Sequence, residues 1–214
     1  MNYRKIALIP AYEPDGRIVT LARELDDNGF SVIIVNDGSG TGSASVFSAA
    51  TGHAEILMHI HNHGRGASVR TGLEYIRKYY LPPYTVTVLS QETEDVSEAL
   101  AASDEAAAMP GNLVLGVRRE KNRRSLRSIV RAVVSRLWYG AAFSTGERTG
   151  TMAFSHRHID RLLSVSGDRE EYENNVIRDY VMTGESIIHT AFSDTQNSGI
   201  SAIGEMRNAG KISV

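Results

Sequence analysis

The sequence predicts an α/β fold: one domain, a mostly parallel central sheet, and helices on both faces. Three observations carry that prediction. Lys5 to Pro10 and Val32-Ile33-Ile34-Val35 are apolar runs of the kind found in strands buried on both faces. Between them Ile18, Leu21, Ala22 and Leu25 recur at helical spacing, so the three segments form a βαβ unit with parallel strands. Strand and helix patterns then alternate along the chain, and 214 residues fit one domain with a sizeable core.

In order, the first strand is ended by Pro10, and Ala11-Tyr12-Glu13-Pro14-Asp15-Gly16 forms a loop. The helix that follows closes at Gly29, where a C-terminal cap belongs. After the second strand, Ser43 to Ala50 is a short helix and Glu55 to Ile60 a third strand. A helix runs from about Ala67 to Tyr79, and Leu81-Pro82-Pro83 breaks the chain. Tyr84 to Leu89 is a strand with period-two alternation, Glu98 to Ala108 an alanine-rich helix, and Asn112 to Val117 a further strand. Short strands (Thr149 to Phe154, Ser186 to Phe192) and helices (His156 to Ser164, Glu171 to Met182) complete the pattern, and the residues from Ile200 onward carry no strong periodicity.

Composition narrows the function classes. A net charge of −2 argues against a nucleic-acid binder, and the lack of cysteine rules out disulfides and thiolate metal sites. No segment has the roughly 20 apolar residues of a membrane span. These features suit a cytoplasmic protein. Its one membrane-facing feature is the basic run Arg118, Arg119, Lys121, Arg123, Arg124, Arg127, Arg131 and Arg136. That run has two readings: a surface for anionic lipid or a lipid phosphate at the inner face of the membrane, or a solvated helix face. Trp138 lies within the accompanying apolar stripe and is expected in the core. The oligomeric state is left open.

The chemistry is expected at the carboxyl ends of the first two strands. Both end in polar loops on one side of the sheet, where open α/β sheets bind ligands. Asp37 can accept hydrogen bonds from a base or ribose there, and Gly38 and Gly40 let backbone approach a ligand closely. The bland alternative is an Asp-Gly turn. Asn62-His63-Gly64-Arg65-Gly66 feeds a helix N-terminus, an arrangement suited to an anion. His59, His61 and His63 alternate and on a continued strand would share a face, as zinc ligands do, but the strand is expected to end by Asn62, which disfavours zinc. Gly38-Ser39-Gly40-Thr41-Gly42-Ser43 fits neither a dinucleotide fingerprint nor a P-loop, which disfavours NAD and ATP.

Ile9-Pro10-Ala11-Tyr12-Glu13-Pro14, Val35-Asn36-Asp37-Gly38-Ser39-Gly40, and Asn62 to Gly66 followed by Arg70-Thr71-Gly72-Leu73 together resemble family 2 glycosyltransferases. The likeness is to bacterial enzymes similar to dolichol- or polyprenyl-phosphate sugar transferases, and it covers about Lys5 to Ser198. It implies a single GT-A, Rossmann-like domain over residues 1–199, with 200–214 as a tail. It also implies that Pro10, Ala11, Tyr12, Glu13, Asp37, Gly38 and Ser39 hold the nucleoside of a UDP- or GDP-linked sugar, with Arg65 and Arg70 near the same site. The implied acceptor is a polyprenyl phosphate or similar group.

The sequence departs from the family at the Asp-x-Asp motif after the fourth strand, which would hold Mg²⁺ or Mn²⁺ against the leaving diphosphate. One register puts Leu89 and Gln91 at those positions, the other Ser90 and Glu92. The departing group carries about three negative charges, which a metal or a cluster of cations must stabilise. Glu92, Glu94 and Asp95 offer a rebuilt oxygen site; Arg65, Arg70 or Arg118 offer guanidinium charge instead. The plain alternative for the acidic stretch is a loop capping the next helix. Two functions follow: sugar transfer from a nucleotide sugar, or an inactive relative that binds a nucleotide or a protein partner.

Overall fold

The computed structural model describes residues 3–118 and 147–192. The elements are β1 (Arg4–Ala11), α1 (Arg17–Asp27), β2 (Phe30–Asn36), α2 (Ala44–Ala50), β3 (Glu55–Met58), α3 (Arg65–Tyr79) and β4 (Tyr84–Val88). They continue with α4 (Val96–Ala108), β5 (Leu113–Arg118), β6 (Glu147–Ser155), α5 (Ile159–Ser164), α6 (Glu171–Met182) and β7 (Ile187–Phe192). The strands form one seven-stranded sheet in the order β3-β2-β1-β4-β6-β5-β7. β1 pairs in parallel with β2 and β4, and β2 with β3. β6 is antiparallel to both β4 and β5, and β5 is parallel to β7, so β6 alone runs against the rest.

The apolar runs are continuous because both faces of the sheet are covered. Ala7, Ile9 and Ile34 pack with α1, α2 and the start of α4, while Ile6, Leu8, Ile33 and Val35 pack with α3, α5 and α6. α1 buries the predicted stripe of Ile18, Leu21, Ala22 and Leu25. Ala102 and Ala106 of α4 meet Val114 and Ala153, where small side chains let helix and sheet approach closely. Each fully buried aliphatic side chain contributes about 1.5–3 kcal/mol before entropy is counted.

The alternation of the fourth strand does not mark a solvent face. β4 is buried along its whole length, and Thr85 is accommodated by a 2.7 Å hydrogen bond with Ser103. Nor does Pro10 end the first strand. The Leu8 carbonyl accepts the Leu89 N–H at 2.9 Å, and the pairing with β4 stops at Leu8↔Val88. Pro10 therefore lies beyond the ladder that would need its missing donor. α3 starts at Arg65 rather than Ala67, and α4 at Val96 rather than Glu98. β3 stops at Met58, short of Ile60, so the three histidines do not continue a strand.

The basic run beyond Arg118, Trp138 and the tail from residue 200 lie outside the described residues. Among the described residues, no helix is long and apolar enough to cross a membrane.

Candidate functional site

The strand order reverses between β1 and β4: the chain proceeds outward from β1 through β2 to β3, then returns to β4 on the other side of β1. Loops leaving the carboxyl ends of neighbouring strands diverge at such a point and leave a crevice. Here three loops are stitched together around it. Gln91, after β4, accepts the Tyr12 N–H at 2.9 Å and donates to the Tyr12 carbonyl at 3.3 Å. Ser39, after β2, accepts the Glu13 N–H on its hydroxyl at 2.9 Å, and its own N–H goes to Asn36 Oδ1 at 2.9 Å. The Asp37 N–H reaches the Ala11 carbonyl at 2.9 Å.

These bonds fix the backbone and leave side chains to face solvent. Pro10 and Ala11 are buried inside β1, whereas Tyr12, on the loop that follows, is 46% exposed and carries an aromatic ring. Glu13 holds φ at +46°, the left-handed region that costs a non-glycine residue about 1–3 kcal/mol. Gly38, at φ +72°, has no such cost, and a side chain there would overlap the His61–Asn62 peptide.

Asp37 is committed to the protein itself. It is 3% exposed; Oδ1 takes the His63 N–H at 3.0 Å and pairs with His59 Nδ1 at 2.7 Å, and Oδ2 takes the Gly64 N–H at 2.7 Å. His59 Nε2 meets Thr71 Oγ1 at 2.9 Å. The anion expected at the N-terminus of α3 is thus the chain's own Asp37, and the Asn62 to Gly66 loop is closed over it. Burial opposes ionisation, but the bonds from His59, His63 and Gly64 outweigh it and hold the Asp37 carboxyl below its ordinary 3.8. His59 itself is taken by Asp37 and Thr71. No three His, Cys, Asp or Glu residues among those described converge to hold a metal.

The two arginines separate. Arg65 reaches the end of β4: Nη1 donates to the Leu89 carbonyl at 3.3 Å, Nη2 to the Gly150 carbonyl at 3.2 Å, and Nε to Glu173 at 2.8 Å. Arg70 turns to the loop before α6, where it bonds the Gly167 carbonyl and Asp168 and lies over the Tyr172 ring. The acidic stretch separates too. Asp95 caps α4 by accepting the Ser97 N–H at 2.8 Å, and Glu94 lies 3.4 Å from Arg17, which also pairs with Asp15. Glu92 is exposed on the turn, and Leu89 is fully buried in the core. The register that puts Leu89 and Gln91 at the family's metal positions therefore supplies no free ligand atom: Leu89 is core, and the Gln91 amide is bonded to Tyr12.

Solved structures share this architecture. A mannosyltransferase from Pyrobaculum calidifontis, in complex with GDP-Man and Mn²⁺, aligns at TM-score 0.57 and 15% identity over 91% of this chain. The chain spans 57% of that protein's length. Glucosyl-3-phosphoglycerate synthase from Mycobacterium tuberculosis, in complex with Mn²⁺, UDP and phosphoglyceric acid, aligns at 0.63 and 14%, covering 90% of this chain and 69% of that one. The fold is GT-A. A 4-diphosphocytidyl-2C-methyl-D-erythritol synthase also aligns, at 0.60 and 13%, over 94% of both chains. No protein-family model matches the chain, and no curated protein matches it in sequence.

Within this GT-A frame no three acids or histidines among the described residues form a ready-made metal site, although a divalent ion that also takes diphosphate oxygens and water needs only one or two carboxylates. At the end of β4 stand Ser90 and Glu92, with one carboxylate between them, and the next two acids are engaged by Arg17 and by α4. What sequence reasoning missed is the use of the site's own polar groups. Gln91, His59 and Glu173 act across separations of 79, 22 and 108 residues, and no local spacing announces such pairings.

Proposed function

We propose that this chain is a glycosyltransferase-like protein that binds a nucleotide sugar in the β1/β2/β4 crevice and passes the sugar to a lipid phosphate or similar phosphate acceptor. One observation carries the reading: the Tyr12–Glu13 and Gly38–Ser39 backbones are held rigid beside each other while the Tyr12 ring stays exposed. A nucleobase can stack on that ring, and preorganised loops bind without an ordering cost. The GDP-Man and UDP in the complexes of the similar structures support a nucleotide ligand, and the sequence resemblance supports sugar transfer. A phosphate acceptor is already ionised at neutral pH, so no general base is required of the crevice. The eight basic residues from Arg118 to Arg136 are the sequence support for such an acceptor.

A second reading is a relative that binds the nucleotide without transferring a sugar. It is favoured by the dispersal of Glu92, Glu94 and Asp95. Calorimetry with UDP- and GDP-sugars, with and without Mn²⁺, tests binding; release of nucleoside diphosphate in the presence of polyprenyl phosphate tests transfer. Binding that Tyr12→Ala weakens about tenfold is the expected result, from the loss of roughly 1–3 kcal/mol of stacking. Binding with no turnover under any acceptor would favour the second reading. No binding at all would remove both.

A further inference from the structure

We infer that Arg65 is the diphosphate-binding residue of the crevice, a guanidinium standing at the strand end to which the family resemblance assigns a metal. The inference rests on the nucleotide reading above. Its basis is the juxtaposition of three facts at the end of β4. The acids of the following loop do not converge, as described. The Arg65 guanidinium is anchored there by two neutral carbonyls, Leu89 and Gly150, and by one carboxylate, Glu173. The residues beside those carbonyls are small: Ser90 follows Leu89, and Gly150 lies alongside Ser90, where a Cβ would come to 3.8 Å from the serine Cβ.

A guanidinium carries five N–H donors, and the described residues take three of Arg65's, leaving one on each Nη. The Arg65 side chain is 26% exposed and that of Glu173 25%, so the pair is neither sealed in the core nor free in solvent. Three bonds hold the fork in place, so an incoming diphosphate would order little. Guanidinium N–H donors of this kind suit phosphate oxygens. Glu173 offsets part of the charge.

The test is calorimetry on the full chain in EDTA, comparing uridine with UDP and guanosine with GDP. Diphosphates are expected to bind more tightly than their nucleosides without metal. Arg65→Met should lower diphosphate affinity about tenfold or more and leave nucleoside affinity unchanged, because a lost charge-assisted bond affects only the charged ligand. Arg65→Lys should restore part of the loss. Glu173→Gln should tighten diphosphate binding several-fold, since the guanidinium then loses its internal counter-ion; a clamp with no ligand role predicts no such gain. The inference is overturned if Arg65→Met keeps the wild-type preference for diphosphate, or if that preference appears only with MnCl₂. Should Arg65→Met fail to fold by circular dichroism, unchanged preferences in both Arg65→Lys and Glu173→Gln overturn it equally. If neither nucleosides nor diphosphates bind, the nucleotide reading itself falls and takes this inference with it.

Discussion

The Asp37 carboxylate takes hydrogen bonds from His59, His63 and Gly64 while 3% exposed, and it stands where the helix dipole of α3 emerges. Asp37→Ala leaves two amides and an imidazole nitrogen without their acceptor. We expect a loss of about 2–4 kcal/mol, with Asp37→Asn costing about half as much, measured by urea unfolding at neutral pH. The pH dependence follows from the depressed pKa. The folded state holds the carboxylate below 3.8, so its contribution is complete above that value and is lost as pH falls through the folded pKa. Asp37→Asn should flatten that part of the acid limb. The residue was legible from Val35-Asn36-Asp37-Gly38-Ser39-Gly40 as an acid at a strand end. Its partners were not, because the amides that claim it come from a loop 26 and 27 residues later. Ser39 lies two residues on, and the structure uses its hydroxyl to hold the Glu13 backbone.

At the scale of elements, hydrophobic periodicity located almost every helix and strand, because burial on a sheet face or a helix stripe leaves a local imprint. It says less about which faces are covered. Thr85 and Thr87 of β4 look solvent-facing, yet α4 covers them, and Ser103 supplies the hydroxyl partner that Thr85 needs. The reversed direction of β6 leaves no trace in composition at all. Close packing of α3 on β1 is a property of the same kind. Gly72 lies against Leu8 so tightly that an added methyl would run into the leucine side chain. In an exposed helix Gly→Ala gains up to about 1 kcal/mol; here overpacking should outweigh that gain. Gly72→Ala is expected to lower stability by about 1–3 kcal/mol in denaturant titration, whereas Gly42→Ala, with open space around it, should lie within about 0.5 kcal/mol of wild type. A stabilised Gly72→Ala would mean that α3 stands farther from the sheet than the structure has it.

Across the whole molecule, the half of the sheet beyond β4 depends on a buried polar junction rather than on the crevice. His158 is 6% exposed; its Nε2 donates to the Pro110 carbonyl at 3.1 Å, and its Nδ1 accepts from the Tyr180 hydroxyl at 2.6 Å. The junction ties the loop before β5 to α6, and α6 carries Glu173, the partner of Arg65. Burial pushes the imidazole pKa below its ordinary 6.5, against the smaller opposing effects of Pro110 and Glu185. The unfolded chain therefore binds a proton that the folded chain refuses. Stability should begin to fall as pH drops below 6.5 and level off once the folded imidazole pKa is passed, whereas the Asp37 contribution is lost only as pH falls below 3.8. His158→Gln keeps an amide donor for Pro110 and a carbonyl acceptor for Tyr180 but cannot titrate. Urea midpoints for this variant should be flat across the upper step and retain the lower one. If both steps survive in His158→Gln, the upper one belongs to another group. The buried histidine would then be a packing element, with no part in setting how acid loosens the α6 side of the sheet.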